Sequence, residues 1–255
     1  GTTIDADATT SGNGGNVVVW SNDGTRYYGS ISARGAGQGS GGSAEVSGEA
    51  YLDYDGQTDL RAPSGETGTL LLDPAEIEIT HDPYGGDVNI SGDSGTGPYT
   101  DTSSGAGSIL TDGTINWELN NANVTVTTYT NDIQIDGGRV LEPMHQTGTV
   151  QPANSNTLTL ASNANISWTG GWTYSNSGQL TMSAANGSIG AGTTSGTLTL
   201  GGTSPLLMRA ADGIGTSTTP VETSGLTTIA ADGVNGGINV SNSGGTNVTI
   251  SSLSD

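Results

Sequence analysis

Thr157-Leu-Thr-Leu160 returns as Gln179-Leu-Thr-Met182 and again as Thr197-Leu-Thr-Leu200, at intervals of about twenty residues. Ile166-Ser-Trp168, Ile238-Asn-Val240 and Val248-Thr-Ile250 share the apolar–polar–apolar rhythm, and Leu226-Thr-Thr-Ile229 is close to it. In an extended chain successive side chains point to opposite faces, so each segment buries its two apolar side chains and exposes the one between. Strands this short are not stable alone. Stacked at a spacing of about 4.8 Å, such copies bury one continuous apolar column. The segments therefore predict an all-β chain: a right-handed parallel β-helix (β-solenoid) of roughly a dozen coils, with about two or three strands per coil and a length on the order of 60 Å.

The same texture extends toward the N-terminus. Strands are expected at Asn16–Ser21, Tyr28–Ala33, Ala44–Ser47, Ala50–Asp53 and Thr58–Arg61, separated by Gly-rich turns. Thr67-Gly-Thr-Leu-Leu-Leu-Asp73-Pro74 reads as a buried strand that Pro74 ends, since proline has no N–H to give a ladder. Regular pattern resumes at Ile115-Asn-Trp-Glu-Leu119, and Asn123-Val-Thr-Val-Thr127 alternates cleanly. The rival architecture is an antiparallel sandwich or barrel, whose hairpins favour Asn-Gly and Asp-Gly turns. Asp23-Gly24, Asp55-Gly56, Asp112-Gly113, Asp136-Gly137, Asn186-Gly187, Asp212-Gly213 and Asp232-Gly233 fit that pattern, but equally fit left-handed corners of a solenoid. The repeat spacing favours the solenoid. One continuous solenoid is expected in three stretches: coils over 1–80, an irregular loop region over 81–107, and a repetitive shaft over 108–255. Glu142-Pro-Met-His-Gln-Thr-Gly148 reads as a second excursion.

Composition narrows the function. The 255 residues carry 25 acidic side chains against five arginines and no lysine, for a net charge of −20. Unopposed acid argues against a nucleic-acid groove and against docking on an anionic membrane. No run approaches the length of a membrane-spanning helix, and without cysteine there is neither a disulfide framework nor a thiolate metal site. Gly1-Thr-Thr-Ile-Asp5 has neither the basic nor the apolar region of a secretory leader.

Asn16-Val-Val-Val-Trp20, Gly29-Ser-Ile-Ser-Ala-Arg34-Gly35, Ala44-Glu-Val-Ser47-Gly48 and Gly68-Thr-Leu-Leu-Leu-Asp-Pro74 occur in that order. In this the chain resembles the large exoproteins of the filamentous-haemagglutinin type, exported by two-partner secretion in Gram-negative bacteria. Leu119-Asn-Asn-Ala-Asn-Val-Thr-Val126 and the run Asp212–Ser241 extend the likeness, while the Asn-Pro-Asn-Gly motif of that family's secretion domain is missing. The resemblance implies an internal or processed piece of a longer precursor, secreted to the cell surface through an outer-membrane partner transporter. It also implies a structural or adhesive role toward host or matrix glycans and proteins. Open coil ends are edge-like and show no obvious amphipathic helix cap, so self-association into head-to-tail filaments is expected as well.

Candidate chemistry is sparse. Asp53-Tyr-Asp55-Gly56-Gln-Thr-Asp59 loosely echoes a calcium loop, so Asp53, Asp55 and Asp59 are the candidate Ca²⁺ ligands, although no cofactor is required. The same carboxylates, or Glu76 with Glu78, are the nearest approach to a glycosidase pair; on a strand, i and i+2 carboxylates more simply line one solvent face. His81 and His145 stand apart, without the spacing of a zinc site. Among Trp20, Trp117, Trp168 and Trp172, the close pair Trp168 and Trp172 is the candidate glycan contact, against the plainer reading that both fill the interior. The expected function is non-enzymatic: a secreted rod or filament that mediates attachment. Two alternatives stand beside it, a polysaccharide-processing β-helix enzyme and a passive shaft displaying a toxin or haem-acquisition module.

Overall fold

The computed structural model describes residues 1–80, 108–136, 140–141, 155–190, 196–201, 203–244 and 247–251. The expected loop at 81–107, the excursion at 142–148, His81 and His145 lie outside them. The first ten strands are β1 (Thr3–Asp5), β2 (Asn16–Ser21), β3 (Gly24–Tyr27), β4 (Ser30–Ser32), β5 (Ser43–Gly48), β6 (Tyr51–Tyr54), β7 (Gln57–Asp59), β8 (Thr69–Pro74), β9 (Ile77–Thr80) and β10 (Ile109–Thr111). A helix follows, α1 (Asp112–Asn121), then β11 (Asn123–Thr128), β12 (Ile133–Asp136), β13 (Val140–Leu141), β14 (Leu158–Ser162), β15 (Ile166–Thr169), β16 (Trp172–Ser175) and β17 (Leu180–Ala184). The remainder are β18 (Ser188–Ile189), β19 (Leu198–Gly201), β20 (Leu206–Ala210), β21 (Gly213–Ile214), β22 (Val221–Ser224), β23 (Thr228–Gly233), β24 (Val240–Ser243) and β25 (Thr249–Ile250).

Every ladder among these strands is parallel. The fold is thus mostly β, built of long parallel sheets, and the antiparallel rival is set aside. The first sheet has nine strands in the order β2-β5-β8-β11-β14-β17-β20-β23-β25, and the second runs β3-β6-β10-β9-β12-β15-β18-β21. A third holds β1-β4-β7 and a fourth β13-β16-β19-β22-β24. The chain visits first, second, then third or fourth sheet, and starts again, so a strand pairs with one about three places on.

Alternation places the core. In the first sheet, register aligns Val17, Ala44, Leu70, Val124, Leu158, Leu180, Leu206 and Ile229 in one row, and Val19, Val46, Leu72, Val126, Leu160, Met182, Met208 and Ala231 in another. Most of these side chains are buried, and they join the apolar residues of the other sheets in one core. Each buried Leu or Val contributes about 1.5–3 kcal/mol, so the row and not any single strand supplies the stability. Between the rows lie the outward positions Val18, Glu45, Leu71, Thr125, Thr159, Thr181 and Leu207; Ala230, next in this register, is buried.

The repeat is longer than the sequence spacing implies. Asn16 and Ser43, one strand apart in the first sheet, are separated by 27 residues. Of the three near-copies, Leu158–Leu160 and Leu180–Met182 stack in the first sheet, but Leu198–Leu200 belongs to the fourth, against Trp172–Tyr174. The first-sheet continuation after β17 is Leu206–Met208. Among the described residues nine strands line the longest sheet, where about a dozen coils were expected, and its eight spacings span roughly 38 Å.

The second departure is α1, where Ile115–Leu119 is helical. Thr111 Oγ1 accepts the Thr114 N–H at 3.2 Å as N-cap, and Asp112 sits in the favourable first turn. The helix lies against β7, at the end of the third sheet. The outward N–H groups of β7 have no strand to meet. Glu118 Oε1 accepts the Thr58 N–H at 3.1 Å, and the Asn121 carbonyl accepts the Leu60 N–H at 3.0 Å. A helix with side chains is about 10–12 Å across, roughly twice a strand spacing. The second sheet matches that width with an added strand: β10 inserts between β6 and β9, pairing Ile109 with both Asp53 and Glu78.

The Asx-Gly corners also differ from expectation. Gly137 lies outside the described residues, and of the other pairs named only Gly213 has a positive φ, at 123°. Gly24 and Gly187 are needed for room instead: a Cβ there would stand 1.9 Å from the Tyr51 ring and 2.5 Å from the Ala164 carbonyl oxygen.

Candidate functional site

Asp53 and Asp59 occupy half-buried positions on β6 and β7, and Asp55 lies in the turn between them. Asp53 accepts the Tyr28 hydroxyl and lies 3.8 Å from Arg26 Nε, while the Arg26 guanidinium stands 5.2 Å above the Tyr51 ring. Asp59 takes both arms of Arg61, at 2.8 and 2.7 Å, with Arg34 Nε at 3.6 Å. Burial works to raise the Asp59 carboxyl, but the Arg61 hydrogen bonds and the two guanidinium charges outweigh it and hold it below its ordinary value. Asp55 is pushed up to about 6, by burial and then by the charge of Asp53. The three carboxylates do not converge. Two are engaged by arginines, and among the described residues no group of three or more His, Cys, Asp or Glu is placed to hold a metal ion.

Trp168 and Trp172 are in the core, 0% and 1% exposed. Their rings meet edge to face with centroids 6.2 Å apart, and Trp168 Nε1 donates to the Gly196 carbonyl at 3.4 Å. A covered indole has no face for a sugar ring, so the glycan assignment of this pair is corrected: the two fill the interior between the second and fourth sheets.

The exposed tryptophan is Trp20, 56% exposed on β2 beside the equally exposed Val18. Register continues its row through Ser47 of β5 to Asp73 of β8. Tyr129, directly after β11, is 45% exposed and donates its hydroxyl hydrogen bond to the Glu49 carbonyl. Trp20, Glu49, Asp73 and Tyr129 line an open groove of about 310 Å³. Burial, and then Glu45, raises the Asp73 carboxyl, and Asp73 Oδ1 is shut from water with no hydrogen-bond donor. Ser47 Oγ donates to Glu45 Oε1 at 2.8 Å. The groove therefore offers an aromatic platform at one side, a second ring opposite, and carboxylates between.

Glu118 is the other displaced acid. It is fully buried, its Oε1 accepting the Tyr54 hydroxyl at 2.7 Å as well as the Thr58 N–H, and Tyr54 stacks on Tyr27 at 6.1 Å. Burial, opposed by these hydrogen bonds, pushes the carboxyl up to about 8. Shifts of this size are common at catalytic acids, but Glu118 faces the core and its visible work is to complete the third sheet. Glu78, of the second carboxylate pair considered above, is likewise buried.

No family model matches this chain, and no curated protein is significantly similar to it.

Proposed function

We propose that the chain is a right-handed parallel β-helix serving as a structural and adhesive rod at a cell surface. The single observation that supports this most is register: the first sheet runs in step through nine parallel strands while the chain cycles through the other sheets and returns. Parallel strands joined by crossovers are right-handed in about 98% of cases, which sets the hand of the proposed helix. Such a stack arrays its outward side chains along one axis. Here the outward row holds Thr125, Thr159 and Thr181 on successive strands, with Thr127, Ala161 and Ser183 beside them. Repeated hydroxyl groups suit many weak contacts acting together.

Secretion, surface location and export through a partner transporter rest on the resemblance to filamentous-haemagglutinin-type exoproteins. Contact with host or matrix glycans and end-to-end filament growth belong to the same proposal. Electron microscopy of the protein, followed by a glycan and cell-binding screen, tests it. Stiff rods or filaments that bind cells or glycans are expected. Round particles, or rods inert in every binding screen, overturn the structural or the adhesive half.

A further inference from the structure

We propose that the groove between Trp20 and Tyr129 binds a cationic amino sugar within an oligosaccharide, a reading that deepens the adhesive role and rests on it. Three features converge there. Trp20, with Val18 beside it, presents an exposed apolar face on β2. Such a face stacks on the C–H side of a pyranose ring and also attracts a cation through its π-electrons. Next, Glu49 and Asp73 line the same groove, and the Asp73 carboxyl is raised first by burial and then by the neighbouring charge of Glu45. Among the described residues the ion pairs of Arg26, Arg34, Arg61 and Arg209 go to Asp53, Asp59 and Asp232, and none goes to these three acids. Among the described residues the local field is thus negative, with no arginine paired to these acids. The third feature is that Asp73 Oδ1 has lost water without gaining a donor, so the charge of this carboxylate is poorly compensated beside the groove that Asp73 and Glu49 line. An ammonium donor is the complement to that set.

The exposed indole decides between ligands of this charge. Tyr129 reaches back from the end of β11 to the Glu49 carbonyl after β5, so its ring and Trp20 line one groove, and a bare ion would leave the Trp20 face unused. A saccharide with free amines supplies both the stacking rings and the charge.

The test is calorimetric titration of the whole chain with a β-1,4-linked glucosamine tetramer, its fully N-acetylated counterpart and tetralysine. The free-amine tetramer should bind at least tenfold more tightly than the acetylated one, and more tightly than tetralysine. Trp20→Ala should weaken it at least tenfold and Asp73→Asn several-fold, while Asp212→Asn at a remote corner changes nothing. Trp20 is exposed, so its variant keeps the readout should Asp73→Asn fold poorly. Equal binding of the acetylated tetramer overturns the cationic assignment. Tetralysine binding as tightly and ignoring Trp20→Ala overturns the sugar assignment, and no binding overturns both. Imaging of wild type and Trp20→Ala separates this from the rod itself, since loss of the groove leaves the particle shape unchanged.

Discussion

Replacing Glu118 by Gln should remove a pH dependence that wild-type stability carries. Glu118 is 0% exposed, and burial pushes its carboxyl up to about 8. In the unfolded chain it returns to about 4.5. Below pH 4.5 both states hold the proton and the full stability is present. As pH rises toward 8 the unfolded state ionises first, so stability falls by about 1.4 kcal/mol per pH unit, and above 8 the loss levels off. Between pH 5 and pH 7 this amounts to about 3 kcal/mol. In Glu118→Gln the amide oxygen keeps the bonds from Tyr54 and Thr58 but nothing titrates. Asp55 and Asp73 also have raised carboxyls and weaken the protein in the same direction, but they are common to both chains and cancel in the difference. Urea unfolding of both chains at pH 5, 6, 7 and 8 gives that difference directly. It should shift in favour of the variant by about 3 kcal/mol from pH 5 to 7. Parallel curves would refute the reasoning, because they would mean that Glu118 is hydrated or ionised inside the folded protein.

Three further outcomes follow from packing. Trp168→Ala should lower the unfolding free energy by about 3–5 kcal/mol in the same assay while leaving the Trp20 groove competent, since the indole fills core. Gly41→Ala should destabilise by roughly 1–3 kcal/mol or more, because a Cβ there would stand 1.7 Å from the Leu60 carbonyl oxygen and backbone must move; an unchanged melting temperature contradicts that. Arg61→Ala should cost no more than about 1 kcal/mol, since the Arg61 side chain is exposed and water screens its pair with the half-buried Asp59. A larger loss would show the guanidinium to be a structural tie.

Much of the first sheet was legible because its polar positions mark the phase. Leu158-Thr-Leu160 and Val124-Thr-Val126 alternate, and both leucines and both valines are inside. The same rule, applied to Ile166-Ser-Trp168 and Trp172-Thr-Tyr174, places both tryptophans inside; proximity of the two rings argued for a surface platform, and the pattern was the better guide. Trp20 was hard to orient, because Val17-Val-Val-Trp20 is apolar at every position and gives the alternation no reference point. The third Leu-Thr-Leu copy misled for a related reason. Every sheet asks for the same two inward side chains, so likeness between segments does not say which sheet they join. Helix α1 was missed because Ile115, Trp117 and Leu119 satisfy a period of two as well as Ile115 and Leu119 satisfy the i, i+4 of a helix. Nothing local announces the burial of Glu118, whose partner Tyr54 is 64 residues away. The groove draws on β2, the turn after β5, β8 and the residue after β11, and so appears only once the strands are stacked.

The central claim is that the first sheet is one in-register parallel stack. The chain has no cysteine, so spin labels can be placed in pairs at will. With one label at Val18 and the second at Thr125, Thr181 or Leu207, the pairs lie three, five and six strands apart along the same outward row. Pulsed electron–electron resonance should give backbone separations that rise linearly, ~14, ~24 and ~29 Å, at about 4.8 Å per strand. Distances that fail to rise along this series, or that fold back on themselves as in a sandwich, would contradict the account.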